Sequence, residues 1–103
     1  MSSEGAQSCS NILKVLANDV RLKVVQQLLS GPKTVSEINS DLKLEKSLLS
    51  HHLKQLRNHG IVQTQRQGKS IRYELAPGVA ASHKGQGLNL GCCELVFLNN
   101  KLS

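Results

Sequence analysis

Aromatic residues are nearly missing from this chain. Tyr73 and Phe97 are the only two among 103 residues, and there is no tryptophan. Aliphatic side chains must therefore carry the core. A chain this short buries only roughly 60–65% of its unfolded surface. That suits one modest domain and argues against a multi-domain enzyme with a deep cofactor cleft. Long apolar runs are also missing: none approaches the ~20 residues of a membrane span. Met1-Ser2-Ser3-Glu4-Gly5 lacks the basic and apolar regions of a secretory signal. A soluble, cytoplasmic protein with no membrane partner is expected. No internal repeat or low-complexity segment is present. No nucleophile, base and orienting group stand in a recognisable arrangement, and Gly68-Lys69-Ser70 lacks the upstream glycine of a phosphate loop. An enzyme is not expected.

Acidic residues are scarce as well, seven against thirteen Lys and Arg, for a formal charge of +6. The excess is concentrated. Residues 41–75 carry Lys43, Lys46, Lys54, Arg57, Arg66, Lys69 and Arg72 against Asp41, Glu45 and Glu74, a net of +4. A basic block inside a folded domain is the electrostatic footprint of a nucleic-acid binder. A solvated surface would look the same by charge alone, so the helix pattern inside the block has to decide.

Residues 1–9 are small and polar and read as a flexible N-terminal segment. From Ser10, Ile12, Val15 and Leu16 share one helix face. Asn18 or Asp19 can cap a second helix over Val20–Leu29, which Gly31-Pro32 ends. Thr34-Val35-Ser36-Glu37 is a capping box that opens a third helix through about Leu42. After a tight turn at Lys43-Leu44, a fourth helix runs from about Glu45 to His59, with Gly60 as its stop. Two alternating runs, 60–66 and 70–75, flank the turn Gln67-Gly68-Lys69-Ser70 and predict a β-hairpin. The fold class is therefore mainly α with a small hairpin wing, a winged helix-turn-helix over residues 10–76. Residues 77–103 form a C-terminal extension, where Pro77 and Gly78, Gly85, Gly87 and Gly91 argue against a long helix. Leu88–Phe97 reads as one further strand, with a short helix at Cys92–Leu98 as the alternative. His83, Lys84 and Lys101 fall in the same extension.

The fourth helix carries two stripes. Leu49, Leu53 and Leu56 form an apolar one, with Leu48 and His52 at its margin. The other holds Ser47, Ser50, His51, Lys54 and Arg57. A major groove about 12 Å wide admits such a helix, whose N-terminal side chains reach base edges. Ser47, Ser50 and His51 can exchange hydrogen bonds with bases, whereas Lys54 and Arg57 suit phosphates. Arg66, Lys69 and Arg72 of the hairpin would hold phosphates or reach the adjacent minor groove. His51 and His52 are adjacent on a helix and make a poor metal pair, so packing is expected of His52. His59 sits where the helix dipole favours it.

These residues resemble the ArsR/SmtB family of winged-helix repressors. The resemblance rests on the run from Ser47 to Val62, on Leu16-Ala17-Asn18-Asp19-Val20-Arg21-Leu22, and on the basic wing Arg66–Tyr73. It covers about residues 10–76. The family usually has Pro at the position of Val20, Gly at Lys43 and Ser at Glu45. Its paired metal-binding cysteines are missing from the third helix here. The resemblance implies a homodimer that binds a palindromic operator in double-stranded DNA and releases it when an inducer binds. Helix one would supply both core and dimer surface.

Three cysteines, Cys9, Cys92 and Cys93, are an odd number in a chain with no export signal. This argues for reduced thiols rather than a disulfide framework. Together they could bind As(III) or Sb(III), since thiolates suit soft ions, or sense an oxidant. Equally, they could pack as small hydrophobes with no cofactor. On a regular strand Cys92 and Cys93 would point to opposite faces, so a shared ion requires a bend at Gly91.

Overall fold

The computed structural model describes residues 3–77, 79–82 and 87–97. Gly78, His83, Lys84, Gly85 and Lys101 lie outside the described residues. Four helices come first: α1 (Ser3–Leu16), α2 (Asp19–Leu28), α3 (Val35–Leu42) and α4 (Lys46–Asn58). Asn18, in extended backbone, separates α1 from α2, and its Oδ1 accepts from the amides of Val20 (2.9 Å) and Arg21 (3.1 Å). Two otherwise unpaired donors at the helix start are satisfied in this way. The capping box of α3 is complete: Thr34 Oγ1 accepts from the Glu37 amide, and the Glu37 carboxylate accepts from the Thr34 amide.

The wing is a three-stranded antiparallel sheet in the order β1-β3-β2. Its strands are β1 (Lys33–Thr34), β2 (Val62–Gln67) and β3 (Ser70–Leu75). The hairpin pairs Val62 with Leu75 at its base and Gln67 with Ser70 at its tip. Gly68 at φ +60° opens the two-residue turn, as a type II′ hairpin requires. β1 adds to the sheet where Lys33 opposes Tyr73 and Thr34 opposes Arg72. This short strand, which the sequence pattern does not announce, fixes the start of α3 to the wing.

The C-terminal extension is neither one strand nor a helix. It forms a second antiparallel sheet of β4 (Ala80–Ser82), β5 (Gly87–Asn89) and β6 (Glu94–Val96), in that order. The apparent single strand Leu88–Phe97 is broken because Gly91, at φ +89°, reverses the chain and leaves Leu88 opposite Leu95. α1 likewise departs from expectation, starting at Ser3 rather than near Ser10. Propagating a helix costs far less than nucleating one, so the apolar turn at Ile12–Leu16 can extend through the small residues before it.

One core joins all of this. Val24, Val25 and Leu28 of α2 meet Ile38 of α3 and Leu49, Leu53 and Leu56 of α4, with Ile61 and Val62 at the wing base. Val79, Leu88 and Leu90 carry the second sheet into the same cluster. Tyr73 and Phe97 only flank it, so the interior is aliphatic. The expectation of three reduced thiols is overturned: Cys9 on α1 and Cys92 in the β5–β6 turn form a disulfide across 83 residues, Cα–Cα 5.8 Å. Cys93 remains a free thiol. The fold brings together two distant segments whose proximity composition cannot reveal.

Candidate nucleic-acid interface

α4 is sorted cleanly into two faces. Leu49, His52, Leu53 and Leu56 are buried, while Ser47, Ser50, His51, Lys54 and Arg57 are all exposed. Helical rise puts Ser47 and Lys54 about 10 Å apart along the axis, a span that fits within one groove. Leu48 is also exposed, at 45%, on the shoulder beside His51. Lys46 in the first turn and Lys43 just before it add exposed cations where α4 begins. Composition places both lysines in the basic block, but only the helix start shows that they flank the N-terminal end of α4.

The α3–α4 turn is held by residues that pattern reading passes over. Lys43 sits in left-handed backbone (φ 53°, ψ 48°), its amide donating to the Asn39 carbonyl at 2.8 Å. The strained conformation explains why glycine suits this position. Asn39 then grips Leu44 from both sides: Oδ1 accepts from the Leu44 amide at 2.8 Å, and Nδ2 donates to the Leu44 carbonyl at 2.9 Å. Glu45 at the α4 N-cap makes no side-chain capping bond, so Asn39 carries much of the turn's definition.

His52 anchors α4 from inside. Its Nδ1 accepts from Arg21 Nε at 3.0 Å, and Arg21 Nη1 reaches the Val15 carbonyl at 3.3 Å. One guanidinium thus links α1, α2 and α4. Burial, with the nearby Arg21 and His51 charges adding to it, holds the His52 pKa below its ordinary 6.5. Arg21 Nε can only donate, so His52 Nδ1 accepts and the ring carries its proton on Nε2. Packing is the role expected of His52, and the Arg21 bond adds to it. At the far end, His59 Nδ1 lies 2.9 Å from the Gln55 carbonyl, tying the ring to the last turn.

The wing cations do not act as one group. Directly opposed residues share a face, so Arg66 lies with Ile71, whereas Arg72 lies with Gln65 on the other. Arg66 and Lys69 are exposed, and Lys69 occupies the tip. Arg72 instead turns toward α3: Nη1 lies 3.5 Å from Glu37 Oε1, and Nε donates to Gln67 Oε1 at 3.0 Å. The Thr34 amide bond holds the Glu37 carboxyl below its ordinary range, with Arg72 and Lys33 adding to the effect. Arg72 therefore braces wing against α3 as well as contributing charge.

Two further features lie away from this surface. The sulfurs of Cys9, Cys92 and Cys93 all fall within 4.8 Å of one another. An apolar groove of about 280 Å³ runs between α1 and the second sheet, lined by Leu13, Leu16, Ala17, Leu22, Leu95, Val96 and Phe97. Leu13 and Val96 are exposed there. Among the described residues, no helix is long and apolar enough to cross a membrane.

Comparison with known proteins converges on one group. The family model described as bacterial regulatory protein, arsR family, matches residues 18–64, from the α2 cap to β2. The HTH-type transcriptional regulator NmtR of Mycobacterium tuberculosis is 37% identical over 75 residues, 73% of this chain and 62% of that protein. The chain thus spans somewhat less than two thirds of that relative's length. The crystal structure of the transcriptional repressor BigR from Xylella fastidiosa superposes with a TM-score of 0.65 at 36% identity, covering 72% of this chain and 73% of that one. A homodimeric winged helix-turn-helix DNA-binding domain from Mycobacterium bovis gives a TM-score of 0.65 at 26% identity, covering 74% and 73%. Fold, helix-four pattern and these matches agree: the chain belongs to the ArsR family of bacterial regulatory proteins.

Proposed function

We propose that this chain is a sequence-specific DNA-binding transcriptional regulator, acting as a homodimeric repressor on a palindromic operator and released by an inducer. The observation that carries the reading is the exposed stripe of α4. Ser47, Ser50 and His51 offer hydrogen bonds at base edges, Lys54 and Arg57 sit one and two turns on for phosphates, and the opposite face is locked into the core. Arg66 and Lys69 extend the cationic surface along the wing, with Arg72 as a weaker contributor because Glu37 already engages it.

Two half-sites about one helical turn apart give a small module the affinity and specificity it lacks alone. The homodimeric Mycobacterium bovis neighbour supports that assembly. So does the groove with exposed Leu13 and Val96, an apolar surface that a second copy would cover. The repressor relative from Xylella supports the direction of regulation. A protein of this kind works beside the chromosome in the cytoplasm, by occupancy rather than catalysis.

The test is fluorescence anisotropy with DNA from upstream of the protein's own reading frame and with a shuffled duplex of equal length. Tighter binding to the upstream DNA, with affinity falling steeply as salt rises, is expected. Equal affinity for both duplexes would reject sequence-specific reading, and no binding at low salt would reject the DNA interface.

A further inference from the structure

Five large aliphatic side chains are exposed among the described residues: Leu13, Val35, Leu48, Ile71 and Val96. Leu13 and Val96 line the groove between α1 and the second sheet. Leu48, the most exposed of the five at 45%, stands instead in the first turn of α4. It is not a core residue: Leu49, Leu53 and Leu56 of the same helix are at most 2% exposed. Of residues 46–51 only Leu49 is buried. Leu48 thus belongs to the exposed stretch that carries Ser47, Ser50 and His51, and the hydrogen-bonding role given to that stretch makes no use of it.

Its place on the helix gives it a role of its own. Leu48 precedes His51 by three positions, so the two side chains are neighbours on the helix surface. Helical rise separates them by about 4.5 Å along the axis, comparable with the spacing of about 3.4 Å between successive nucleotides of one strand. A helix that brings Ser47 and His51 to base edges therefore carries Leu48 to the same or the adjoining base pair. Leucine has nothing to donate or accept there. Against the amino group of cytosine or the N7 of a purine it would strip water without replacing the hydrogen bond, which costs affinity. Thymine alone presents an apolar group in the major groove, its C5 methyl.

We propose that Leu48 is a specificity-determining residue that selects a thymine in each half-site by packing on its C5 methyl. The inference rests on the reading of α4 as the base-reading helix and adds an apolar element to it. Ser47, Ser50 and His51 choose bases by hydrogen bonds, whereas Leu48 chooses by contact. Removing one buried carbon of this kind lowers affinity about fourfold, and a homodimer makes the contact once per half-site.

The experiment uses the full chain and the duplex from upstream of its own reading frame, with each thymine replaced in turn by deoxyuridine. Uracil keeps every hydrogen-bonding group and every phosphate and lacks only the methyl. For the parent, at least one replacement should weaken binding about fourfold. Leu48→Ala should bind the unmodified duplex at least as weakly as the parent binds that uracil duplex. It should also be indifferent to uracil at the same position, with its salt slope and its affinity for the shuffled duplex unchanged. Leu48→Met, which keeps an apolar tip, should retain the sensitivity to uracil. A parent that prefers the upstream duplex over the shuffled one, yet has no uracil-sensitive position, would overturn the inference and leave base reading by α4 intact. So would a uracil loss in Leu48→Ala equal to that of the parent at every sensitive position. Equal weakening of both duplexes by Leu48→Ala would also overturn it, because a merely structural role acts that way. Equal parent affinity for the two duplexes would overturn the reading of α4, and this inference with it.

Discussion

Replacing Asn39 with alanine removes both bonds that clasp Leu44, at 2.8 and 2.9 Å. Each such bond contributes about 1 kcal/mol net, so their joint loss costs about 2 kcal/mol. Alanine's better helix propensity returns roughly 0.5 kcal/mol within α3. The Leu44 backbone is only half-buried, so water can reach the freed groups and no full desolvation penalty is added. The net expectation is about 1.5 kcal/mol of destabilisation. With a urea slope of about 1 kcal/mol/M for a domain of this size, the midpoint should fall by about 1.5 M. Circular dichroism at one fixed protein concentration is the assay, because the stability of the proposed dimer would depend on concentration. Asn39→Asp keeps the acceptor for the Leu44 amide and loses the donor, so it should fall between the two. Operator affinity, measured well below the new midpoint, should also drop, since the turn sets how α4 leaves α3. An Asn39→Ala midpoint within about 0.5 M of the parent, together with unchanged operator affinity, would refute the view that this side chain defines the turn.

Other consequences can be checked the same way. Lys43→Gly should raise stability by about 0.5–1 kcal/mol, because the left-handed backbone strains any residue with a Cβ, partly offset by glycine's freedom when unfolded; a lower urea midpoint would contradict it. His52 has a folded pKa below its ordinary 6.5. Between those two values the unfolded chain binds the extra proton, so stability is full above about 6.5 and declines as pH falls through the window. His52→Gln can still accept from Arg21 without titrating, and a urea series from pH 7.5 to 5 should show a shallower decline for it than for the parent. Arg72→Ala should reduce the salt dependence of DNA binding less than Arg66→Ala, because Arg72 already faces Glu37; equal reductions would show that the ion pair opens on DNA.

Much of the fold is written locally and could be read from it. The Thr34/Glu37 capping box, the Gly60 stop and the period of Leu49, Leu53 and Leu56 each involve residues a few positions apart, where helix geometry dictates the neighbours. The exposed stripe of α4 follows from the same period. Features that depend on distant partners stayed hidden. β1 is two residues long and exists only because β3 lies beside it. The Arg21–His52 bond spans 31 positions and the Cys9–Cys92 disulfide 83. Asn39 looks like an ordinary weak helix former until the turn after it is in place. The C-terminal alternation from Leu88 to Phe97 has the right residues for strands, but one glycine in left-handed backbone converts a single strand into a hairpin. That hairpin also changes the chemistry of the candidate thiol site, since it removes the objection that adjacent strand residues diverge.

The central claim is that α4 reads base edges while the wing holds the backbone. Ser50→Ala and Arg66→Ala should be titrated against the upstream operator and a shuffled duplex at several salt concentrations. Ser50→Ala should weaken the operator severalfold and leave the shuffled duplex unchanged. Arg66→Ala should weaken both alike and flatten the salt slope by about 0.9 for each lost phosphate contact. Equal losses on both duplexes for Ser50→Ala would contradict base reading by α4.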